Sequence, residues 1–431
     1  MAGLRGYLKN GRDRSPQRSS EWEANECAHE KLENPSMAGQ SPHILADRPE
    51  CRASASEITS IAKRILHGRR QLGPCLRGIP RDPLTLRQAV ETDHGALEEL
   101  LRATPMGSRI RLCFERNPDF FAGARVQTED PCVWAFFDGG VRAVGVFSAG
   151  SRRVWLGGEM PMRYLSDLRI HPDWQGSSLL ARGFRFLRKE VFRPGEWAQT
   201  LVLEDNVRAL EMLTGRRGGL PEYRAAGRFV SWLLPNQRVD VQSERQVRRA
   251  TWSDLGAMQV LLDASSRRRS FTGMMNLAEL GKPGWRDLTI EDFLVAERDG
   301  IVTGMIGLWD QSGFQRLRIQ GYSPTIGALR PLWNSFASVP LPKAGQILPL
   351  RKATAIACDG DDPAILRVLL AAALAENDQR LLLLGLSAKD PLGVALRGLK
   401  GRVEYGRHFL VGWDGEPPEW EEPFGFDVAR I

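Results

Sequence analysis

The sequence predicts an α/β protein built twice: two mixed, mostly antiparallel sheets flanked by helices, one per copy, packed side by side. Three observations predict it. RQAVETDHGALEELLRA, from Arg87, and RRATWSDLGAMQVLLDA, from Arg248, agree at eight of seventeen positions at an offset of 161. WAFFDGGVRAVGVFS, from Trp134, matches VAERDGIVTGMIGLW, from Val295, as strand, Asp-Gly turn and strand. Glu222-Tyr223 followed by FVSW to Trp232 has its counterpart in Glu404-Tyr405 followed by FLVGW to Trp413. One amphipathic helix could repeat by chance; three matches in one order imply a duplicated domain of about 150–175 residues.

Taken in order, residues 1–80 are expected to be a disordered extension. They are rich in Arg, Ser, Pro and Glu and nearly lack apolar periodicity, except for a short helix over Ser56–His67 with Ile58, Ile61, Ile65 and Leu66 on one face. Residues 81–238 form the first copy, which opens with a strand, a turn and a helix capped by Thr92. Residues 239–415 form the second, whose first helix is capped by Ser253. The boundary falls in the polar stretch Pro235–Gln246. Residues 416–431, EPPEWEEPFGFDVARI, read as an acidic, loosely docked tail.

Composition excludes several classes. No apolar run approaches the ~18 residues of a spanning helix, and the first residues hold no apolar segment of a secretory signal. The six cysteines show neither a disulfide framework nor metal-ligand spacing, so no metal is expected and reduced thiols in a cytoplasmic setting are. Net charge is +7, but residues 1–80 hold 13 Lys/Arg against 9 Asp/Glu, which leaves +3 for the rest. That distribution argues against nucleic acid. The basic run Ser266–Ser270 is the best local candidate, and a solvated loop explains it equally well.

Chemistry concentrates in MRYLSDLRIHPDWQGSSLLARGFRFLRKEVF, Met162 to Phe192. A strand ends at His171-Pro172, a small-residue turn follows, and Leu179, Leu180, Phe184, Leu187, Val191 and Phe192 stripe a helix. A strand, a tight turn and a helix N-terminus make a phosphate cradle, because the first helical N–H groups lack internal partners and the dipole adds about half a positive charge. Gly176, Ser177 and Ser178 are small enough for a pyrophosphate to reach the backbone.

HPDWQGSSLLARGF resembles the acetyl-CoA-binding signature of the GNAT N-acyltransferase superfamily, with Gln175 in place of the Arg/Gln that begins it. LVLEDN resembles that family's fifth strand, which splays from the fourth to admit the pantetheine arm, and Asn206 and Ala209 match its N-x-x-A. The resemblance covers about 84–235 and, more weakly, 240–415, like the tandem members of the superfamily. It implies an acetyl-CoA-dependent N-acyltransferase with a small-molecule or peptide amine as acceptor. Leu168, Ile170, Gln175, Gly176, Ser177, Ser178, Leu179, Leu180 and Asn206 would hold the coenzyme. Ser178 and Leu180 depart from the expected small residues, and Leu213 stands where many members carry a general-acid tyrosine.

The catalytic candidates are therefore Tyr164, Asp167 and Glu159. Tyr164 is either a phenolic acid toward the departing thiolate or a half-buried strand tyrosine. Asp167 and Glu159 are candidate bases for the amine; Asp167 either faces the cleft or pairs with Arg169. Asn206 bonds pantetheine, caps a helix, or does both. Arg182 and Arg185 meet the 3′-phosphate or form a solvated face. His171 reads as an exposed turn residue, and Tyr223, repeated as Tyr405, as a packing residue. In the second copy Asp361, Asp362 and Pro363 replace Trp174, Gln175 and Gly176. Two carboxylates and a missing N–H speak against a pyrophosphate there. The alternative to an enzyme is a non-catalytic module that binds acyl-CoA or a partner protein.

Overall fold

The computed structural model describes residues 84–431 except 108, 216–218, 338 and 377–378. The extension 1–80 and the helix expected at Ser56–His67 lie outside the described residues.

The first half runs β1 (Thr85–Gln88), α1 (His94–Ala103), β2 (Ile110–Arg116), α2 (Phe120–Gln127), β3 (Val133–Asp138), β4 (Arg142–Trp155), β5 (Glu159–Ile170), α3 (Leu179–Phe186), β6 (Ala198–Leu203), α4 (Val207–Thr214) and β7 (Glu222–Leu234). The second runs β8 (Gln246–Arg249), α5 (Leu255–Ser266), β9 (Thr272–Gly273), β10 (Phe293–Arg298), β11 (Ile301–Trp309), β12 (Gln315–Tyr322), α6 (Pro324–Asn334), β13 (Leu350–Cys358), α7 (Pro363–Ala375), β14 (Leu381–Ser387) and β15 (Arg402–Gly412). Both hairpins form at their Asp-Gly turns: β3 pairs with β4 and β10 with β11.

Each half starts alike. Arg87 grips Asp93 with two bonds of 2.7 Å, and Arg248 grips Asp254 at 2.7 and 2.9 Å. The caps differ from expectation. The carboxylates of Asp93 and Asp254, not the hydroxyls of Thr92 and Ser253, accept the free N–H groups of Val90 and Thr251 at 2.8 Å, because each is already fixed by its arginine.

The halves do not carry two sheets packed side by side. Among the described residues they share one mostly antiparallel sheet of 13 strands, ordered β1-β3-β4-β5-β6-β15-β7-β14-β13-β11-β10-β8, with β9 beside β4. The last strand of each half crosses over. β15 lies between β6 and β7, with Phe409 opposite both Thr200 and Ala225. β7 pairs with β14. The crossing is tight, since a Cβ at Gly406 would overlap the Phe229 ring. It also exchanges core. Phe409 and Val411 are buried among Phe136, Phe184 and Leu213 of the first half, and Leu234 among Ile365, Leu369 and Leu382 of the second. Each such side chain contributes about 1.5–3 kcal/mol. A second pairing, β2 with β12, also joins the halves. The segment β12–α6 has no counterpart in the first half and was not anticipated.

The tail is also a correction. Phe424, Val428 and Ala429 are buried, Phe426 stacks on Phe229 at 4.3 Å, and the Trp420 indole N–H donates to the Ala226 carbonyl at 3.0 Å. Its acidic composition hid these apolar anchors, which outweigh the charges in fixing its path.

Candidate active site

The site grows from β5. Along this strand Val146 faces Arg169 and Ser148 faces Ser166, so Asp167 and Leu168 bulge opposite Phe147. Asp167 takes φ of 57°, a left-handed conformation that costs a non-glycine residue of order 1 kcal/mol. Its carboxylate accepts two bonds from Arg116, at 3.0 and 2.9 Å, and one from Ser148 Oγ at 3.1 Å. Arg116 is 2% exposed, and its guanidinium also lies 4.4 Å from the Phe120 ring centre. Asp167 therefore neither pairs with Arg169 nor stands free as a base. It neutralises a buried cation brought by β2, 51 residues away.

Just before the bulge β5 meets β6, and the two strands soon part. They pair in parallel only at Arg163, Tyr164 and Leu165, opposite Ala198, Gln199 and Thr200. Thr200 Oγ1 closes the pairing by donating to the Leu165 carbonyl at 2.8 Å. Beyond it β5 runs on to Ile170 and β6 to Leu203, still bonded to β15 on its other side. The edges Ser166–Ile170 and Leu201–Leu203 bound a wedge, open where β5 ends.

At that open end sits the small-residue turn. Pro172–Trp174 form one 3-10 turn, and Gly176 then takes φ of +80°, which a side chain would resist. Gln175, Gly176, Ser177 and Ser178 are exposed. Among the described residues the N–H groups of Gly176 and Ser178 have no backbone acceptor. The Leu179 N–H donates to Ser177 Oγ at 3.3 Å. Leu179 is buried and Leu180 half-buried in the first-half core, so Leu180 points away from the turn's exposed side. From across the wedge, Arg208 on α4 donates to Gln175 Oε1 at 2.7 Å. Asn206 caps α4, accepting the Ala209 N–H at 3.2 Å, as the cap reading expected. Leu168, Ile170, the turn 175–180 and Asn206 thus lie around one opening. Arg182 instead reaches the Leu84 carbonyl and the Phe136 ring, Arg185 is exposed, and His171 accepts the Asp173 N–H.

The other candidates lie deeper. Tyr164 is 3% exposed, beneath the Arg152 guanidinium at 4.2 Å from its ring centre. Burial pushes its phenol up to about 12, against the pull of the Arg152 charge and with a smaller rise from Asp167. At about 3.3 Å per residue it is ~10 Å from the bulge and ~20 Å from Ile170. Glu159 does not join the site. It stands at the opposite end of β5, ~36 Å from Ile170, half-exposed and paired with Arg153 at 2.8 Å. Tyr223 packs edge-on against Phe184 and Phe409, and burial raises its phenol. Its twin Tyr405 is 44% exposed beneath Arg228, so the two do not share a packing role. Sequence reasoning missed Arg116, Ser148, Arg152 and Thr200. Each acts through a partner distant in the chain, and no local spacing signals that.

In the second half β13 and β14 also pair at only three positions, Leu350–Lys352 opposite Leu381–Leu383, and then part. A bulge recurs there, with Ala355 at φ of 47°. This opening is closed. Arg269, which is 7% exposed, bonds Asp390 at 2.7 and 3.0 Å and Asp361 at 2.9 Å. Arg268 adds two bonds to Asp361, and Arg245 pairs with Asp362 at 3.2 Å. Within the basic run Ser266–Ser270, Arg269 is buried in ion pairs while Arg267 and Arg268 stay exposed. Among the described residues no group of three or more His, Cys, Asp or Glu is placed to hold a metal ion, and no helix is long and apolar enough to cross a membrane.

No family model matches the chain, and no curated protein sequence matches it significantly. Solved structures do. A GCN5-related N-acetyltransferase from Sphaerobacter thermophilus is 11% identical, over 81% of this chain and all of that one, with a TM-score of 0.46. N-myristoyltransferase of Saccharomyces cerevisiae, solved with bound myristoyl-CoA, is 12% identical over 79% of this chain and 85% of its own, with a TM-score of 0.49. A GCN5-related glucosamine N-acetyltransferase region in a fungal multi-domain GH3 β-N-acetylglucosaminidase is 12% identical over 78% of this chain and 39% of that one, with a TM-score of 0.50. At that identity the last likeness is one of fold: a mixed α/β fold with a large, mostly antiparallel sheet flanked by helices, similar to that of GCN5-related N-acetyltransferases.

Proposed function

We propose that the first half is an acyl-CoA-dependent N-acyltransferase domain and that the chain is a tandem pair, 81–238 and 239–415, whose second copy has kept the fold and lost the coenzyme site. The observation that carries this reading is the wedge between β5 and β6, open beside exposed amides that lead into α3. A pantetheine arm is a slender polar chain that can bond to the two unpaired strand edges. The amides of Gly176 and Ser178 and the start of α3 suit a pyrophosphate.

In the reaction the acceptor amine attacks the thioester carbonyl, and backbone N–H groups near the bulge at Leu168–Ile170 polarise it. The C–N bond forms, the C–S bond breaks, and the thiolate takes a proton. Asp167 is committed to Arg116, so the acceptor enters as the free amine or loses its proton to water. Tyr164, ~10 Å from the bulge, supplies the departing proton through intervening water; its raised pKa keeps the phenol protonated at every working pH. The second reading, a non-catalytic acyl-CoA-binding module, is favoured by the depth of Tyr164 and by Leu213 at the usual tyrosine position.

Titration with acetyl-CoA is expected to find one site per chain, and free-thiol release with a panel of amines is expected to show turnover. One site without turnover on any amine favours the module. No binding overturns both readings. Tyr164→Phe is expected to lower kcat roughly 100-fold with KM nearly unchanged.

A further inference from the structure

Behind the closed opening of the second half lies a cavity of about 80 Å³ between the two halves. It is bounded by Ala353–Ile356 of β13, by Gly385 and Leu386 of β14, by the tail, and by Arg152 and Arg153 of β4. The charges around it do not cancel. Arg153 is answered by Glu129 at 3.1 Å and Glu159 at 2.8 Å, and Arg269 by Asp390 and Asp361. Arg152 and Arg430 form no ion pair among the described residues. Arg152 donates to the Gln199 side-chain carbonyl at 2.9 Å and lies over Tyr164, while its Nε is buried without a partner. Arg430 donates to the Gly284 carbonyl at 3.3 Å and lies over Trp285.

The carboxylates near these cations are engaged elsewhere: Glu129 pairs with Arg153, Glu279 with Lys282, and Asp427 with its own neighbours. Asp427 accepts Thr354 Oγ1 at 2.6 Å and the Ala429 N–H at 2.9 Å. Nearby Lys352 adds a third cationic group, with its amine pushed by burial down to about 7. Burial likewise holds both guanidiniums below their ordinary range, and nearby acidic groups such as Asp427 offset it only in part. Leaving such charge uncompensated is costly, and a guanidinium answers a planar carboxylate or a phosphate through paired N–H donors. At ~30 Å³ per water the space suits a head group of a few heavy atoms and excludes a whole coenzyme.

We propose that this cavity binds a small anion-bearing molecule, its carboxylate or phosphate group held by Arg152 and Arg430. The second half has then exchanged a coenzyme opening for an anion site, and this holds whether or not the first half acylates anything.

The test is calorimetric titration of the full chain with inorganic phosphate and, separately, with acetate, each at constant ionic strength. Saturable binding of one equivalent of either is expected. Binding of phosphate alone assigns a phosphorylated molecule, and binding of acetate alone a carboxylic acid. Arg152→Gln and Arg430→Gln are each expected to weaken the binding tenfold or more. Arg188→Gln, at a surface arginine paired with Asp414, is expected to leave it unchanged. Circular dichroism checks folding, and Arg430→Gln decides the matter if Arg152→Gln does not fold. Three outcomes overturn the proposal: no saturable binding of either probe, wild-type affinity in the folded arginine variants, or binding lost in Gly176→Pro and kept in Arg152→Gln.

Discussion

The two strand openings share a scaffold and differ in what crosses them. In the first half β5 and β6 part after three paired positions, and a hydrogen bond from Arg208 to Gln175 reaches across the exposed gap. In the second, β13 and β14 part after three positions as well, but Arg269 is clamped between Asp361 and Asp390. The bulge recurs in both, at Asp167 and at Ala355. Splay and bulge therefore belong to the scaffold, and the residues at the opening decide whether a ligand can enter. Asp361 and Asp362 do more than repel phosphate: they are spent on arginines that hold the gap shut.

The largest effect is expected from breaking the clamp. Arg269→Met leaves Asp390, which is 2% exposed along its side chain, as a buried charge without its counter-ion, held only by the Leu392 N–H at 3.0 Å among the described residues. The expected loss is about 3–5 kcal/mol in urea unfolding. A loss below about 1 kcal/mol would show that the clamp does not close the second half. Next comes Gly176→Pro, which replaces a φ of +80° by one near −65° and deletes an N–H. Coenzyme affinity is expected to fall roughly 100-fold while the urea midpoint stays nearly constant, because Gly176 packs against nothing. Unchanged affinity places the phosphates elsewhere.

The smallest effect compares the opening turns. The Arg248 hydrogen bonds hold the Asp254 carboxyl well below the usual range, and the Arg87 bonds lower Asp93 in the same way. A depressed folded-state pKa gives stability that is present above the unfolded value near 3.9 and is lost as pH falls through the folded one. Asp254→Asn is therefore expected to cost about 1 kcal/mol at pH 7 and to flatten the loss of stability below pH 4. A mutant that retains the parent's full acid sensitivity would assign that sensitivity to other carboxylates.

Much of this was legible in the chain. The repeat contains both arginine–aspartate pairs among its identical positions, the hairpins turn at Asp-Gly, and HPDWQGSS marks the turn at the open end. The exchange of closing strands was not. FVSW and FLVGW are nearly interchangeable, so nothing local says which sheet each completes; the choice is made by contacts such as Gly406 against Phe229. The clamp was hidden for a related reason. Arg269 lies 121 residues from Asp390, and a run of basic residues reads as solvated until its partners are placed. Asp167 was singled out correctly as unusual in a strand, yet its partner on β2 made it a counter-ion.

The exchanged strands also constrain how the protein is made. β6 gains its second neighbour only from β15, about 200 residues later in the chain, which at ~5–20 residues per second is roughly 10–40 s of synthesis. Until then a growing chain holds Ala198–Leu203 as a bare sheet edge beside an incomplete core, open to pairing with other chains. The first half, although translated first, completes its sheet only when β15 arrives, and a ribosome stalled between the halves would leave a species prone to aggregate. A fragment ending at residue 235 would inherit the same defect.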